Sequence, residues 1–264
     1  MVKELKQDPE FSKLGAVNSI NWGRISSQVP YFVSGYLQAA KEVGEPVDFV
    51  VPTGNFGNVL SGYIAKRMGV PIRKLIVATN ENDVMAKLIE TGIYKMTPSQ
   101  ITSSPSMDIS KASNYERLVF DLLGKDPKAV REYMSKFNST GSVDIADFNL
   151  DKDIFAQNGF FQGSSTHQDR LNMIKEVYEE TKEIIETHTA DAVTVAKRHK
   201  IDDGVPMVAM ATALPVKFED IIEEVLGFIP EREDRFKELK ATENGFYNIP
   251  ADAEKLKDYI RKNI

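Results

Sequence analysis

The stretch Asp48–Met68, DFVVPTGNFGNVLSGYIAKRM, leaves this chain few ways to fold. Its apolar run Phe49-Val50-Val51 stops at Pro52, as a short buried strand does. Small and polar residues follow from Thr53 to Asn58, with Gly54 and Gly57 among them. Apolar residues then recur at Val59, Leu60, Tyr63, Ile64 and Met68, the spacing of one helical face. Gly69 stands where a left-handed cap closes such a helix, and Pro71 keeps it from resuming. Strand, glycine turn and helix make an anion cradle: glycines let the backbone come close, and free amides at the helix start point at the charge. The same G-x-x-G spacing also serves as a tight strand-to-helix connection with no ligand, and the spacing alone does not choose between the two.

Around this unit the chain reads as alternating helices and strands. Pro9 interrupts a polar lead-in, and Ile25, Val29, Phe32, Val33, Tyr36, Leu37 and Ala40 share a helical face that Pro30 should kink or start. Lys74–Ala78 is a second strand; strand, helix and strand within about 30 residues form a parallel crossover unit. Asn82 or Asp83 caps a short helix carrying Val84, Leu88 and Ile89, closed by Gly92. Residues Thr97–Ser113 and Asn138–Phe148 read as loops, with helices over Asn114–Leu123 and Pro127–Phe137. His167–His188 is the clearest amphipathic helix, its Glu and Lys residues on a solvated face. A short helix at Thr189–Arg198, a strand at Pro206–Ala211 and helices at Phe218–Leu226 and Ala253–Lys262 complete a single α/β domain over residues 1–264. Three strands are few for a parallel sheet, and an uncovered edge invites association.

Composition excludes several classes. A net charge of −6 argues against general affinity for nucleic acid, which needs a basic face. The absence of cysteine removes disulfides, thiolate catalysis and cysteine metal sites. His167 and His199 are isolated, and no histidine pair has metal-ligand spacing, so no metal is expected. The first residues mix charges without an apolar core, and no run of about 18 apolar residues occurs. A cytoplasmic protein that crosses no membrane is the expectation.

Val51-Pro52-Thr53-Gly54-Asn55-Phe56-Gly57-Asn58 resembles the cofactor-phosphate loop of the threonine synthases, which are pyridoxal-phosphate enzymes. Asn18–Trp22, Ala78–Asp83, Ser104–Ile109, His188–Ala190 and Thr212–Phe218 resemble the same family, in its order. Six strings in order are far more specific than any one of them. The resemblance implies a parallel-sheet, three-layer fold of the tryptophan-synthase-β-like kind, here incomplete, because the matching begins in the middle of the family's sequence. The chain is thus expected to be a carboxy-terminal portion, without the segment that carries the Schiff-base lysine. The implied reaction converts O-phospho-L-homoserine and water to L-threonine and phosphate, the last step of threonine biosynthesis. It proceeds by proton removal at Cα and Cβ, loss of the γ-phosphate, and water addition at Cβ.

Residue by residue, the resemblance assigns the cofactor phosphate to Gly54, Asn55, Phe56 and Gly57, mostly through backbone amides. Asn58 stands where many members carry aspartate. Thr212 matches the hydroxyl that hydrogen-bonds the pyridine nitrogen, a weaker electron sink than an aspartate partner would create. Asn18, Ser19, Asn21 and Arg24 become substrate contacts; as plain sequence they are equally a helix cap with a surface arginine. Ser104, Ser106 and Asp108 line the cleft mouth or simply hold a structured loop. His188 has a family counterpart, but Glu186-Thr187 precedes it in place of Asp-Pro, and it reads as a core-facing polar residue at a helix junction. Lys217 does not match the Schiff-base lysine, so no catalytic residue is assigned within the chain. Trp22 is assigned to packing. Besides the substrate, the expected partner is the missing amino-terminal half or a second copy. The alternatives are a non-catalytic, threonine-synthase-like binding protein, or another pyridoxal-phosphate enzyme of the same fold, such as a serine or threonine dehydratase.

Overall fold

A computed structural model describes residues 5, 8–11, 14–15, 20–201, 203–232, 234 and 248–263. The chain divides into two compact units, Ser19–Pro230 and a smaller one from Met1–Asn18 with Glu231–Ile264. In the smaller unit a helix at Ala253–Asn263 pairs with the turn Pro9–Phe11. There Arg261 grips Glu10 with two contacts of 2.7 Å, and Lys257 reaches Asp8 at 3.0 Å.

The larger unit is built on a parallel sheet. Its strands are β1 (Val47–Pro52), β2 (Ile72–Thr79), β5 (Phe160–Ser164) and β6 (Met207–Ala209), in the order β5-β2-β1-β6. Every residue of β1 is buried, which is why its sequence reads as a continuous apolar run rather than an alternation. The sequence predicts three of these strands; the fourth, β5, is Phe-Phe-Gln-Gly-Ser, too polar and short to stand out. A second ribbon pairs β3 (Ile93–Lys95) antiparallel with β4 (Ser142–Asp144); β4 lies in the stretch Asn138–Phe148 that the sequence predicts as a loop.

Helices cover both faces. On one side α1 (Trp22–Ala39) and α2 (Gly57–Arg67) pack Ile25, Phe32, Val59 and Tyr63 against Phe49, Val51, Leu75 and Val77. The two helices approach so closely that a Cβ on Gly62 would lie 2.6 Å from the Phe32 ring. On the other side α8 (Thr187–His199) sets Ala192 and Val195 on Val50, Ile76 and Ala78. Successive residues of β1 and β2 thus face opposite layers, the period-two rule of a strand. Beyond β2 the chain adds α3 (Val84–Thr91), α4 (Tyr115–Leu122), α5 (Pro127–Thr140), α6 (Ile154–Gln157) and α7 (His167–Thr181); α9 (Glu219–Leu226) follows β6, and α10 is the terminal helix Ala253–Asn263.

Three local expectations change. The long helix predicted over His167–His188 is two: α7 ends at Lys182, a non-glycine residue with φ of 66°, and α8 begins after Glu186. Of the two readings of Pro30, the helix start falls: α1 begins eight residues earlier, at Trp22, with Pro30 inside it. Trp22 itself is half exposed, at 53%, with the Arg117 guanidinium 5.4 Å above its ring, so it caps a surface rather than filling the core. Among the described residues no helix is long and apolar enough to cross a membrane, and no cluster of three His, Cys, Asp or Glu side chains is placed to hold a metal.

Candidate active site

The turn Thr53–Phe56 leaves the carboxyl end of β1, the position where open parallel sheets bind their ligands. Phe56 takes a left-handed backbone, φ 65° and ψ 3°, unusual for a residue with a side chain. Its ring accounts for that: it is 1% exposed and wedged between Tyr115 and Phe160, with centroids 5.9 and 5.8 Å away. With its side chain in the core, Phe56 offers the site only its backbone. The carbonyl of Asn55 accepts from the backbone N–H and side-chain amide of Asn114, both at 3.1 Å, which fixes the turn from behind. The backbone N–H groups of Gly54, Asn55, Phe56, Gly57 and Asn58 find no acceptor among the described residues. Together with the start of α2 they form an array of donors without partners among the described residues.

These amides open on a cleft of about 700 Å³, in the size range of small-molecule sites. Gly54, Asn55, Phe56 and Gly57 line it, and so does Thr212, exposed just beyond β6. β6 is the immediate neighbour of β1, and the Met210 N–H donates to the Val50 carbonyl at 2.9 Å. That pairing brings Gly54 and Thr212, 158 residues apart, to one sheet end. Arg24 stands on the cleft rim. Asn21 does not line the cleft; its Oδ1 accepts from the Gly23 N–H at 2.9 Å and caps α1. Asn18 and Ser19 lie outside the described residues. Lys217 is exposed in the turn Pro215–Lys217 and away from the cleft lining.

Two groups of residues enter without a prediction, and one was ambiguous. Gln28, Tyr31, Ser34, Gly35 and Gln38 line the cleft from α1. With Arg24 they recur every three to four positions, so the polar face of that helix carried the signal opposite its apolar one. Met107 and Met210 supply apolar wall. His188 is both buried, 3% exposed, and part of the cleft wall. Its Nε2 accepts from the Ser106 N–H at 3.0 Å, and its Nδ1 lies 2.6 Å from Glu186. Asp108 turns inward instead, accepting from Thr102 and from the side-chain amides of Asn80 and Asn82 at 2.6 to 2.9 Å. It organises the 100–108 loop and does not reach the cleft.

Behind α8 lies a buried ionic network. Arg170, 0% exposed, reaches Asp191 and Glu81 at 3.0 Å each and Ser103 at 2.8 Å. Ser165 also donates to Asp191. Burial pushes the Asp191 carboxyl up to about 6, against the pull of Arg170 and Ser165.

Residues 189–260 match the family described as "Threonine synthase, C-terminal". Over the whole of this chain, a threonine synthase from Methylobacillus glycogenes is 46% identical, and one from Corynebacterium glutamicum is 42% identical over 98% of it. A crystal structure of threonine synthase from Brucella melitensis with pyridoxal phosphate bound superposes with a TM-score of 0.85, at 37% identity over 99% of this chain and 56% of that one. Along its whole length the chain is similar to threonine synthases, and residues 189–260 carry their carboxy-terminal domain. It spans about half the length of the curated relatives it matches, 56% and 55% of the two named. The yeast threonine synthase structure agrees, with a TM-score of 0.76 at 32% identity over 91% of this chain and half of its own. The α/β architecture and parallel sheet are those of threonine synthases, over part of their fold.

The cleft suits a phosphate-bearing cofactor on its own terms. Five amides without acceptors meet a helix start, and no carboxylate stands among the lining residues to repel a dianion.

Proposed function

We propose that this chain supplies the cofactor-binding side of a threonine synthase active site, for the conversion of O-phospho-L-homoserine and water to L-threonine and phosphate. The observation that carries it is the placement of five free amides at the end of β1 with Thr212 beside them at the end of β6. Gly54, Asn55, Phe56 and Gly57 hold the phosphate of pyridoxal phosphate through their N–H groups, and Thr212 meets the ring nitrogen. When bound, this cofactor withdraws electrons from the substrate's carbons, and a neutral hydroxyl at the nitrogen leaves that pull moderate. Arg24, on the rim, offers a planar fork of donors for the carboxylate or phosphate of the substrate. Asn18, Ser19 and Asn21 keep a substrate role on the family resemblance alone. A segment carrying the Schiff-base lysine, from this protein or from a second chain, completes the site.

Binding is the direct test. The chain should take up pyridoxal phosphate in equilibrium dialysis, inorganic phosphate should compete, and pyridoxal without its phosphate should bind at least about tenfold more weakly. Gly54→Ala sharpens the test, because the new Cβ would sit 2.7 Å from the Ser106 carbonyl oxygen and 3.0 Å from the Met107 Cα. Both are backbone atoms, so the turn must move: stability should fall by about 1–3 kcal/mol in urea, and cofactor affinity with it. Equal affinity for pyridoxal and its phosphate would remove the cradle from the proposal.

A further inference from the structure

Glu186 and His188 begin α8 as a buried pair that the proposed chemistry does not use, 1% and 3% exposed. Oε1 of Glu186 accepts from the Thr189 N–H at 2.7 Å and its hydroxyl at 2.6 Å; Oε2 accepts from the His188 N–H at 2.8 Å. Oε2 also lies 2.6 Å from His188 Nδ1. Each oxygen of Glu186 already accepts from a backbone N–H, which can only donate, so Glu186 is an acceptor and Nδ1 carries the hydrogen. Across the ring, Nε2 is 3.0 Å from the Ser106 backbone nitrogen, which can only donate. Both neighbours demand one tautomer of a neutral imidazole, with a lone pair fixed on Nε2.

That lone pair holds a particular piece of backbone. Ser106 is the centre of the turn Pro105–Met107, whose atoms press on Gly54. The base of this turn is tied elsewhere, by Asn80 to Ser104 at 3.2 Å and by the Asp108 network. At its tip, the Ser106 N–H is given to His188. The Phe218 ring lies against one face of the imidazole, with centroids 4.8 Å apart.

We infer that Glu186 and His188 are a positioning pair: Glu186 sets the imidazole tautomer, and His188 Nε2 clamps Ser106 so that the Pro105–Met107 turn stays seated on Gly54 and shapes the phosphate cradle. The link to phosphate rests on the cofactor reading above; the clamp itself does not.

The test separates the two. In ¹⁵N spectra of the wild-type chain near neutral pH, His188 should carry its hydrogen on Nδ1 and none on Nε2; the other tautomer, or a doubly protonated ring, overturns the pair. His188→Met removes the acceptor, and His188→Gln restores one at similar reach. At global stability matched by urea, the Ser106 amide should exchange about tenfold faster in His188→Met and within about threefold of wild type in His188→Gln. Pyridoxal phosphate should bind about fivefold or more weakly to the Met variant, with the Gln variant recovering most of that. An unchanged Ser106 amide in His188→Met overturns the clamp, and faster exchange with unchanged cofactor affinity overturns its positioning role. If the wild type takes up no pyridoxal phosphate, the cofactor reading falls, while tautomer and exchange still decide the clamp. If neither variant folds, exchange of the Ser106 amide in the wild type decides it: protection no greater than at the exposed Ser99 and Ile101 overturns it.

Discussion

Purified alone, these 264 residues will bind pyridoxal phosphate reversibly and release no more phosphate from O-phosphohomoserine than a blank. The reason lies in the cleft lining. Among the described residues that line it, the ionisable side chains are Arg24, Tyr31 and His188, and there is no lysine. A pyridoxal-phosphate enzyme needs an amine both to hold the aldehyde covalently and to carry protons to and from carbon. Arg24 is a guanidinium, which neither forms a Schiff base nor offers an acceptor, and cannot stand in. His188 has a lone pair, but it is taken by the Ser106 N–H. Losing a positioned proton carrier lowers a rate by about 10²–10⁴, and losing the covalent step lowers it further. Borohydride reduction of the loaded chain, followed by peptide mapping, should find no pyridoxyl-lysine. Turnover together with a reduced pyridoxyl group on any lysine of residues 1–264 would show that the active centre lies elsewhere. Adding a polypeptide that carries the matching lysine segment should restore phosphate release. Failure of every such addition, with cofactor still bound, would favour a threonine-synthase-like protein that works by binding.

What the sequence revealed, it revealed locally. The β1–turn–α2 unit was legible because each signal is short-range: a buried apolar run, glycines at a turn, and a 3.6-residue period. What it concealed depends on partners far along the chain. Asp48, wholly buried in β1, is tolerable because Arg73 grips it at 2.9 and 2.6 Å, 25 residues on. Strand β5 exists because β2 offers it a ladder from Leu75–Phe160 to Thr79–Ser164, although Gln162 and Gly163 speak against a buried strand. The break between α7 and α8 was hidden by Ile184 and Ile185, which prolong the apolar stripe past Lys182, where no glycine marks the turn. Thr212 shows the same limit at the site. As sequence it is a residue after a strand; only the adjacency of β6 and β1 brings it to the glycine turn. The importance of His188 was the hardest to see, since its acceptor role depends on a backbone amide 82 residues away.

Replacing Arg170 will cost the fold more than any change in the cleft. Its guanidinium is wholly buried and joins α7 to Asp191 of α8, to Glu81 beyond β2 and to Ser103. Glu81 Oε2 and Asp191 Oδ2 have no further partner among the described residues, so Arg170 provides much of their compensation. Arg170→Met preserves bulk and strands two carboxyls, which for a broken buried pair costs about 3–5 kcal/mol, or roughly 10 °C in Tm for a unit of this size. The loss should depend on pH, and its sign follows from Asp191. Burial already raises that carboxyl to about 6, above its ordinary 3.8, so the folded chain binds the proton more tightly than the unfolded one. Across that window this group makes stability fall as pH rises. Without Arg170 the carboxyl rises further, and the folded variant must either hold a proton or bury a bare charge. The destabilisation should therefore be larger at pH 8 than at pH 5, and Asp191→Asn added to Arg170→Met should recover part of it at pH 8. Urea unfolding of the three chains at both pH values measures this. A loss below about 1 kcal/mol would mean that the network is solvated after all, and a loss equal at both pH values would remove Asp191 from the account.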